Sequence, residues 1–414
     1  MKHQRVHSCL PRYLRFLCAF AFCIAGRSEG QTGLQASLHP PGTLGWVNAF
    51  TNGIVTVEGS FNVSDGPWLP VVNVFTTNAA GAVNVALTNS ASFFRLNAAD
   101  VSANPSDMQL VPAGSFQMGD NYSDLFTRPD ELPMHYVFLN TFLVDRFEVT
   151  NEKMRQVLQW AYDHGEIQLI MGSITYFVAN TEGTSQLLVI MKGPSWHVTG
   201  NMQISFDLGT GAFVIDPGKT NYPCVGVSWF GGAAYGNYLS QMQALNPCTD
   251  LTNWTCDLSQ NGYRLPTEAE WEKAARGAFT GDVFPWDSYN NYGVDTNLAN
   301  YTPVGLGHGV LNTRPVGFFD GTNNAPWANM ANGYGIYDMA GNVREWCVDW
   351  YQSDWYSRPG ATNSNPVGPA SGTDRVQRGG SWDWDQSLMR CSARDHQPPY
   401  DGYWYNGFRA VLRP

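Results

Sequence analysis

Turn-forming residues interrupt this chain so often that its helices and strands must be short. Gly occurs 42 times and Pro 24 times in 414 residues, and only 14% of the residues are charged. Because glycine and proline both break helices, and charged side chains are scarce, long charged helices and coiled coils are excluded. A hydrophobic content of 43% is nevertheless enough to bury a sizeable core. We therefore expect a globular, loop-rich protein of two or three domains.

The net charge of the chain limits the classes of partner that it can bind. The formal net charge is −11 at pH 7. A negative protein repels phosphate backbones and anionic lipid, so nucleic acid is not expected as a partner.

The first 30 residues have the layout of an export signal. Basic residues precede a short apolar run, residues 16–25, and small residues follow it. A run of that length does not span a bilayer, which takes about 20 residues. We therefore predict a signal peptide over residues 1–30 and a mature chain that is exported, periplasmic or extracellular, without a transmembrane segment. The alternative is a buried first helix, but the charge pattern favours export.

The rest of the chain divides by composition. Residues 31–105 contain alternating runs, such as 54–59 and 72–75, and predict a small β-rich module or spacer. A change of composition at residues 104–106 marks a boundary, so residues 106–414 are predicted to form a second domain. Within it, alternating segments separated by Gly, Pro and Asn predict a β-rich insertion over about residues 167–215.

The sequence predicts three short helices in the second domain. Thr150 and Ser228 stand where the caps of two helices are expected, and Gly165 suits the end of the first. The third helix has the clearest limits, because Thr267 and Glu270 have the spacing of a capping box and Gly277 follows. Short helices among β segments and irregular coil predict an α+β fold.

Five cysteines follow the predicted signal peptide: Cys224, Cys248, Cys256, Cys347 and Cys391. Since the number is odd, at least one thiol stays free unless it pairs between chains, while an oxidising compartment favours disulfides among the others. Cys248 and Cys256 flank a short polar stretch, and their spacing matches no zinc motif. We therefore predict a structural disulfide between these two residues.

Eight motifs occur in order in the second domain. They are LVPAGSFQMGD, FLVDRFEVTN, GVSWFGGAAYGNYLS, RLPTEAEWEKAARG, FPW, NGYGIYDMAGNVREWCVDWY, RVQRGGSW and GFRAVLRP. Together they resemble the formylglycine-generating enzyme family, also called sulfatase-modifying factors, over about residues 108–414, interrupted by the insertion. The resemblance implies a coil-rich variant of the C-type-lectin-like fold. It also implies, for active members, oxidation of a sulfatase cysteine to formylglycine with molecular oxygen and copper.

The chain departs from this family at the catalytic cysteines. In active members one cysteine lies just beyond the GGS motif and a second lies five positions later, and their thiolates hold copper. Here Trp384 stands at the first position, and the second is missing because the segment before Cys391 is shorter. Since Cu(I) needs soft sulfur ligands, neither copper nor copper-dependent formylglycine generation is expected. The alternative is an oxygen-using oxidase with hard ligands drawn from Asp383, Asp385 and His396.

The resemblance aligns Cys391 with a cysteine that is structural in the family. The usual partner position falls near Ala275, which carries no sulfur. Cys347 is the alternative partner, and the sequence leaves open a Cys347–Cys391 disulfide or two free buried thiols. No activating group can be placed beside Cys391 from the sequence, so a lone catalytic cysteine is not expected.

Calcium is the metal that the resemblance implies. Asp338 stands where the family often has Asn, Glu345 supplies a carboxylate, and Gly341 and Val343 supply backbone carbonyls. Hard oxygen ligands of this kind suit Ca²⁺. In the alternative interpretation Glu345 pairs with an arginine and Asp338 only caps a turn.

A second calcium site of the family is weaker in this chain. Asn300 and Tyr301 are present, but the aspartate expected after them is His308, which is a poor calcium ligand.

The resemblance also implies a ligand groove near the C-terminus. Its residues are Ser381, Trp382, Asp383, Trp384, Asp385, Arg394 and His396. Aromatic faces beside carboxylates suit sugars, peptides and cationic groups, although the same composition fits ordinary packing. The sequence thus predicts a calcium-stabilised binding or accessory module for a peptide, protein or glycan, with the oxidase as the alternative.

Overall fold

A computed structural model describes residues 35–39, 43–47, 49, 53–60, 69–76, 78–84, 93–100, 105–120, 126–172, 175–192, 201–277, 283–286, 296–304, 312–322 and 329–414. The predicted signal peptide lies outside these residues. The chain divides into two compact units, Met1–Ala103 and Asn104–Pro414. Among the described residues, no helix has both the length and the apolar character that crossing a membrane requires.

The described part of the first unit consists of antiparallel strands in two sheets. The strands are β1 Gln35–His39, β2 Thr43–Val47, β3 Gly53–Ser60, β4 Leu69–Thr76, β5 Gly81–Asn84 and β6 Phe93–Asp100. Their order is β1-β2-β5 in one sheet and β4-β3-β6 in the other. Trp46 of β2, Val57 of β3 and Leu96 of β6 belong to one buried cluster, so both sheets contribute to a common core. The strands predicted at residues 54–59 and 72–75 lie within β3 and β4.

The second unit has many short strands. They are β7 Met108–Val111, β8 Gly114–Met118, β9 His135–Leu139, β10 Phe142–Asp145, β11 Ile167–Met171, β12 Thr175–Asn180, β13 Leu187–Lys192, β14 Ile204–Asp207, β15 Ala212–Ile215, β16 Thr249–Asp250, β17 Thr255–Cys256, β18 Tyr263–Arg264, β19 Arg344–Trp350, β20 Arg375–Arg378, β21 Asp395–Gln397, β22 Asn406–Gly407 and β23 Val411–Leu412. Strands β11 to β15 lie within residues 167–215, where the β-rich insertion is predicted. The prediction of a mixed helix and sheet fold is confirmed.

The described part of the second unit contains three α-helices, α1 Asn151–Asp163, α2 Trp229–Met242 and α3 Glu268–Arg276. Each begins after the predicted cap, because the hydroxyls of Thr150, Ser228 and Thr267 each accept a hydrogen bond from the backbone three residues on. Glu270 completes the capping box of α3, and Gly277 ends that helix with a φ of +62°. The three predicted helices are confirmed.

Helix α2 packs very close to its neighbours because glycines face them. A Cβ on Gly231 would lie 2.1 Å from the carbonyl oxygen of Leu188, and one on Gly236 would lie 2.7 Å from that of Tyr263. Only glycine fits at these contacts, so the glycine-rich sequence of α2 determines how close the helix comes to β13 and β18.

Two four-stranded sheets and helix α3 surround the main core of the second unit. The sheets have the orders β18-β23-β10-β7 and β21-β20-β19-β22. Val144 of β10, Trp271 of α3, Cys347 of β19 and Val376 of β20 are buried in one cluster. The sheet β21-β20-β19-β22 therefore has one side turned to α3 and the main core.

Candidate functional site

The residues predicted to carry function lie on or beside the sheet β21-β20-β19-β22. Its register pairs Trp346 with Gln377, and Gln377 with Asp395. Successive side chains of a strand point to opposite faces, so the register sorts the sheet residues into two sets. We call one set the α3 face, namely Glu345, Cys347, Val376, Arg378, Arg394 and His396. The other set is the ring face, namely Arg344, Trp346, Gln377, Asp395, Gln397 and Asn406.

The α3 face is a layer of buried ion pairs. Glu268 and Glu272 lie one turn apart on α3, where their carboxylates meet arginines of the sheet. Arg394 binds Glu268 through two hydrogen bonds of 2.7 and 3.0 Å, and Arg378 pairs with Glu272. Arg276 also pairs with Glu272 at 2.7 Å. Arg394, predicted as a groove residue, is instead fully buried in this layer, because a guanidinium in the core needs a carboxylate partner.

The carboxylate of Glu345, a predicted calcium ligand, is bound by protein groups. Arg409 donates to its two oxygens at 2.7 and 2.8 Å, and the indole of Trp271 donates to one of them at 2.7 Å. Asp338 accepts a hydrogen bond of 2.6 Å from the backbone of Gly317. These are the contacts of the alternative interpretation, in which Glu345 pairs with an arginine and Asp338 caps a turn.

A third buried carboxylate, Glu148, joins this loop. It accepts hydrogen bonds from the amide of Asn342 at 2.6 Å and from the backbone of Val343 at 3.2 Å. Burial, together with the carboxylates of Asp338 and Glu345, raises the pKa of Glu148 well above its usual range. Burial also raises the pKa of Asp338 to about 6. Sequence reasoning missed Glu148, because no spacing connects it to a loop almost two hundred residues later.

The described residues do not assemble a ready metal centre. In them, no group of three or more His, Cys, Asp or Glu side chains is arranged to hold an ion. Gly341 has a φ of +80°, and a Cβ there would lie 2.4 Å from the carbonyl oxygen of Asn300, so the loop needs glycine at this point. As the carboxylates stand, Glu345 would have to exchange protein partners to bind calcium.

Two residues of the weaker second site, Asn300 and Tyr301, make contacts with other segments of the chain. Asn300 donates from its amide to the carbonyl of Asn312 and to the side chain of Asn342, both at 3.0 Å. Tyr301 is buried in a cluster with Met389. His308 lies outside the described residues.

The predicted groove residues fall into separate surroundings. Ser381 and Trp382 are buried. Asp385 caps a short 3-10 turn by accepting from Ser387 at 2.9 Å. His396 is exposed and pairs through Nδ1 with Asp374 at 2.6 Å. The set Asp383, Asp385 and His396, which the oxidase alternative requires, is therefore not brought together as a metal centre within the described part of the chain.

Trp384 belongs to a stack of rings that covers part of the ring face. The guanidinium of Arg344 lies between the rings of Trp384 and Tyr405, at 4.8 and 4.9 Å from their centroids. It also pairs with Asp395 at 2.7 Å. The ring of Tyr403 continues the stack, 5.3 Å from Tyr405 and inclined by 18°. Sequence reasoning missed Tyr403 and Tyr405, although the aromatic run just before the GFRAVLRP motif was a signal that could have revealed them.

The predicted disulfides are absent from the structure. None of the five cysteines in the described residues forms a disulfide. The hairpin register places Thr249, and not Cys248, opposite Cys256. Cys347 and Cys391 are both buried in the main core but are not joined. Burial raises the pKa of Cys347 well above its usual range, so the thiolate that a metal or a nucleophilic reaction needs is disfavoured.

Comparison with known proteins agrees with the motifs. The family described as "Sulfatase-modifying factor enzyme 1-like domain" matches residues 94–414. The formylglycine-generating enzyme of Thermomonospora curvata is 30% identical over 313 residues, which cover 74% of this chain and 93% of that protein. Serine/threonine-protein kinase pkn1 of Chlamydia caviae is 29% identical over 305 residues, which cover 74% of this chain but only 38% of the kinase. Among solved structures, Treponema denticola variable protein 1 is 25% identical, with a TM-score of 0.48 and coverage of 80% of this chain and 98% of that one.

Proposed function

The chain belongs to the sulfatase-modifying factor enzyme 1-like domain family, and we propose that it is an exported binding or accessory module for a peptide, protein or glycan. One observation carries the proposal. Trp384 stands where the resemblance places the first copper-binding cysteine, and its ring packs on Arg344 instead. A guanidinium flanked by indole and phenol rings is suited to recognition and offers no soft ligand for Cu(I).

The state of the thiols supports the same conclusion. The described cysteines nearest in sequence to the missing pair, Cys347 and Cys391, are buried in the main core and contribute to its packing. Two thiolates at one accessible point are the minimum for the copper chemistry of the family. We therefore propose that formylglycine generation is not the activity of this chain.

A direct assay tests this proposal. The protein is incubated with oxygen, copper and a peptide containing Cys-x-Pro-x-Arg, and the peptide is weighed by mass spectrometry, with a competent formylglycine-generating enzyme as positive control. We expect no loss of about 18 Da, the shift from thiol to aldehyde. Trp384→Cys should also be inactive, because one thiolate cannot build a site of two sulfurs. Formation of the aldehyde by the unaltered chain would contradict the proposal.

We propose that calcium stabilises the loop of Asp338, Gly341, Val343 and Glu345. The cluster supports this proposal because three buried carboxylates, including Glu148, surround one arginine, Arg409, and their repulsion favours a cation. An ion that binds only the folded state stabilises it by mass action, so a chelator should lower the melting temperature.

The variant for the calcium test is Asp338→Asn. Its amide oxygen can still accept from Gly317, so the turn is kept while one charged ligand is lost. We expect the variant to lose most of the chelator-dependent shift, whereas Asp320→Asn, in a nearby exposed turn, should retain it. Identical melting curves of the unaltered protein with and without chelator would exclude the site.

Metal analysis of the purified protein separates the module from the oxidase. Calcium alone favours the module. Stoichiometric iron or copper favours the oxidase with hard ligands. Binding assays on peptide and glycan arrays then test the module directly, and failure of a folded sample on both arrays would count against it.

A further inference from the structure

The ring face contains polar atoms that are buried without a partner. Within the described residues, Arg344 Nε, both amide atoms of Gln377, and Asn406 Oδ1 have no hydrogen-bond partner. Gln377 and Asn406 are fully buried, and Arg344 is nearly so. A buried polar atom that has lost water and gained no partner costs free energy, so native structures contain few of them.

These atoms lie close together because of the sheet register. Arg344 and Asn406 are paired across β19 and β22, and Gln377 is paired with Trp346, two residues along β19 from Arg344. Residues two apart on a strand share a face. One patch of the ring face therefore concentrates unused hydrogen-bonding capacity, with both donors and acceptors.

An exposed aromatic surface lies at the edge of this patch. Tyr403 and Trp404 each expose 40% of their surface. Their rings are nearly perpendicular, at 83°, and we call these two rings the aromatic shelf. The ring of Tyr405 contacts both the guanidinium of Arg344 and the ring of Tyr403, and its hydroxyl accepts a hydrogen bond of 3.2 Å from Gln397.

The chemistry of the patch selects the ligand. An anion would meet Asp395 and a chain of net charge −11, and a cation would meet Arg344. A peptide main chain needs a long free strand edge, but the edge strands β21 and β22 have three and two residues. Hydroxyl groups donate and accept at once, which suits two donor side chains and two acceptor oxygens. The apolar C–H faces of sugar rings pack on aromatic shelves.

We infer that this surface binds a neutral oligosaccharide, with sugar rings on Tyr403 and Trp404 and hydroxyls on Arg344, Gln377 and Asn406. The inference rests on the proposed binding function and names its ligand class. In this inference, binding of the oligosaccharide displaces the stacked rings of Trp384 and Tyr405.

Calorimetric titration of the full chain tests the inference. The probes are the neutral hexasaccharides of cellulose, starch and chitin, and an oligogalacturonate of equal length serves as the anionic counterpart. We expect saturable binding of at least one neutral probe and none of the anionic probe. Tyr403→Ala should weaken binding about tenfold or more, the change expected for loss of one well-made contact. Tyr136→Ala is the matched control, because Tyr136 is also 40% exposed and lies on β9.

Gln377→Leu separates binding from stability. Removing an amide that has no partner should leave the melting temperature unchanged or raise it, while binding of the neutral probe weakens about tenfold. A variant that loses stability would show that Gln377 has a structural role and would overturn its part in binding. If the variant does not fold, Tyr403→Ala still tests the inference, since Tyr403 is 40% exposed and its ring contacts are made at the surface with Trp404 and Tyr405.

The remaining outcomes distinguish the inference from the proposed function. Binding of peptides but not of sugars, weakened by Tyr403→Ala, would overturn the sugar inference and leave the binding module intact. Binding of neither class by a folded sample would overturn both.

Discussion

On the α3 face of the sheet β21-β20-β19-β22, Arg378 and Arg394 each meet a carboxylate of helix α3. On the ring face of the same strands, Gln377 and Asn406 bury polar atoms that have no partner among the described residues. Arg378, Arg394, Gln377 and Asn406 are all buried, so solvent exposure does not explain the difference. The comparison teaches that the two faces of one sheet can differ in how their buried polar groups are satisfied: on one face paired charges fix the helix, and on the other lie the unpaired donors and acceptors that we infer to bind a ligand.

The largest effect is expected from breaking an ion pair on the α3 face. Arg378→Met leaves the carboxylate of Glu272 buried beside a single remaining arginine, Arg276, and should lower the free energy of unfolding by about 3–5 kcal/mol. The same substitution at Arg358, whose pair with Asp354 is about half exposed, should cost less than about 1 kcal/mol. Urea denaturation measures both. Equal losses would show that burial does not decide the strength of these pairs.

A second prediction concerns the pH dependence of the free energy of unfolding, to which Asp349 contributes. Burial, with Glu268 nearby, raises the pKa of Asp349 to about 8. Since the unfolded chain releases this proton near pH 4, the folded state holds an extra proton between about pH 4 and pH 8, and stability falls as pH rises through that range.

Asp349→Asn should remove this slope. The amide oxygen can still accept the hydrogen bond of 2.8 Å from the backbone of Glu268. Relative to the unaltered protein, we expect the variant to lose about 3–4 kcal/mol less stability between about pH 5 and about pH 8. Urea denaturation at the two pH values measures the difference. Parallel pH profiles would mean that Asp349 is ionised throughout.

The smallest effect is expected on the ring face. Arg344→Met keeps a long side chain between Trp384 and Tyr405 and removes a guanidinium nitrogen that has no partner in the described structure. Its ion partner Asp395 is partly exposed and can be hydrated, so the loss of unfolding free energy should be about 1 kcal/mol or less. A loss as large as that of Arg378→Met would remove the distinction between the two faces.

The sequence by itself determined the helices and the family. The caps at Thr150, Ser228 and Thr267 were predictable because a cap is a hydrogen bond between residues three positions apart. The eight motifs identified the family, since they rest on the order of residues along the chain. The prediction that copper is not bound rests on Trp384, at the position where the resemblance places a cysteine.

Only the tertiary structure decided which partners the buried polar groups have. Glu345 was predicted as a calcium ligand, but the chain folds so that Arg409, 64 residues away, takes both of its oxygens. The carboxylate of Glu148 accepts a hydrogen bond from the same loop, although it lies 194 residues away along the chain. Arg394, predicted as a groove residue, donates to Glu268 of helix α3. Local hydrogen bonds follow from spacing along the chain. Ion pairs between distant segments depend on strand register and on which face of a sheet a residue occupies, and a shift of register by one residue reverses that face.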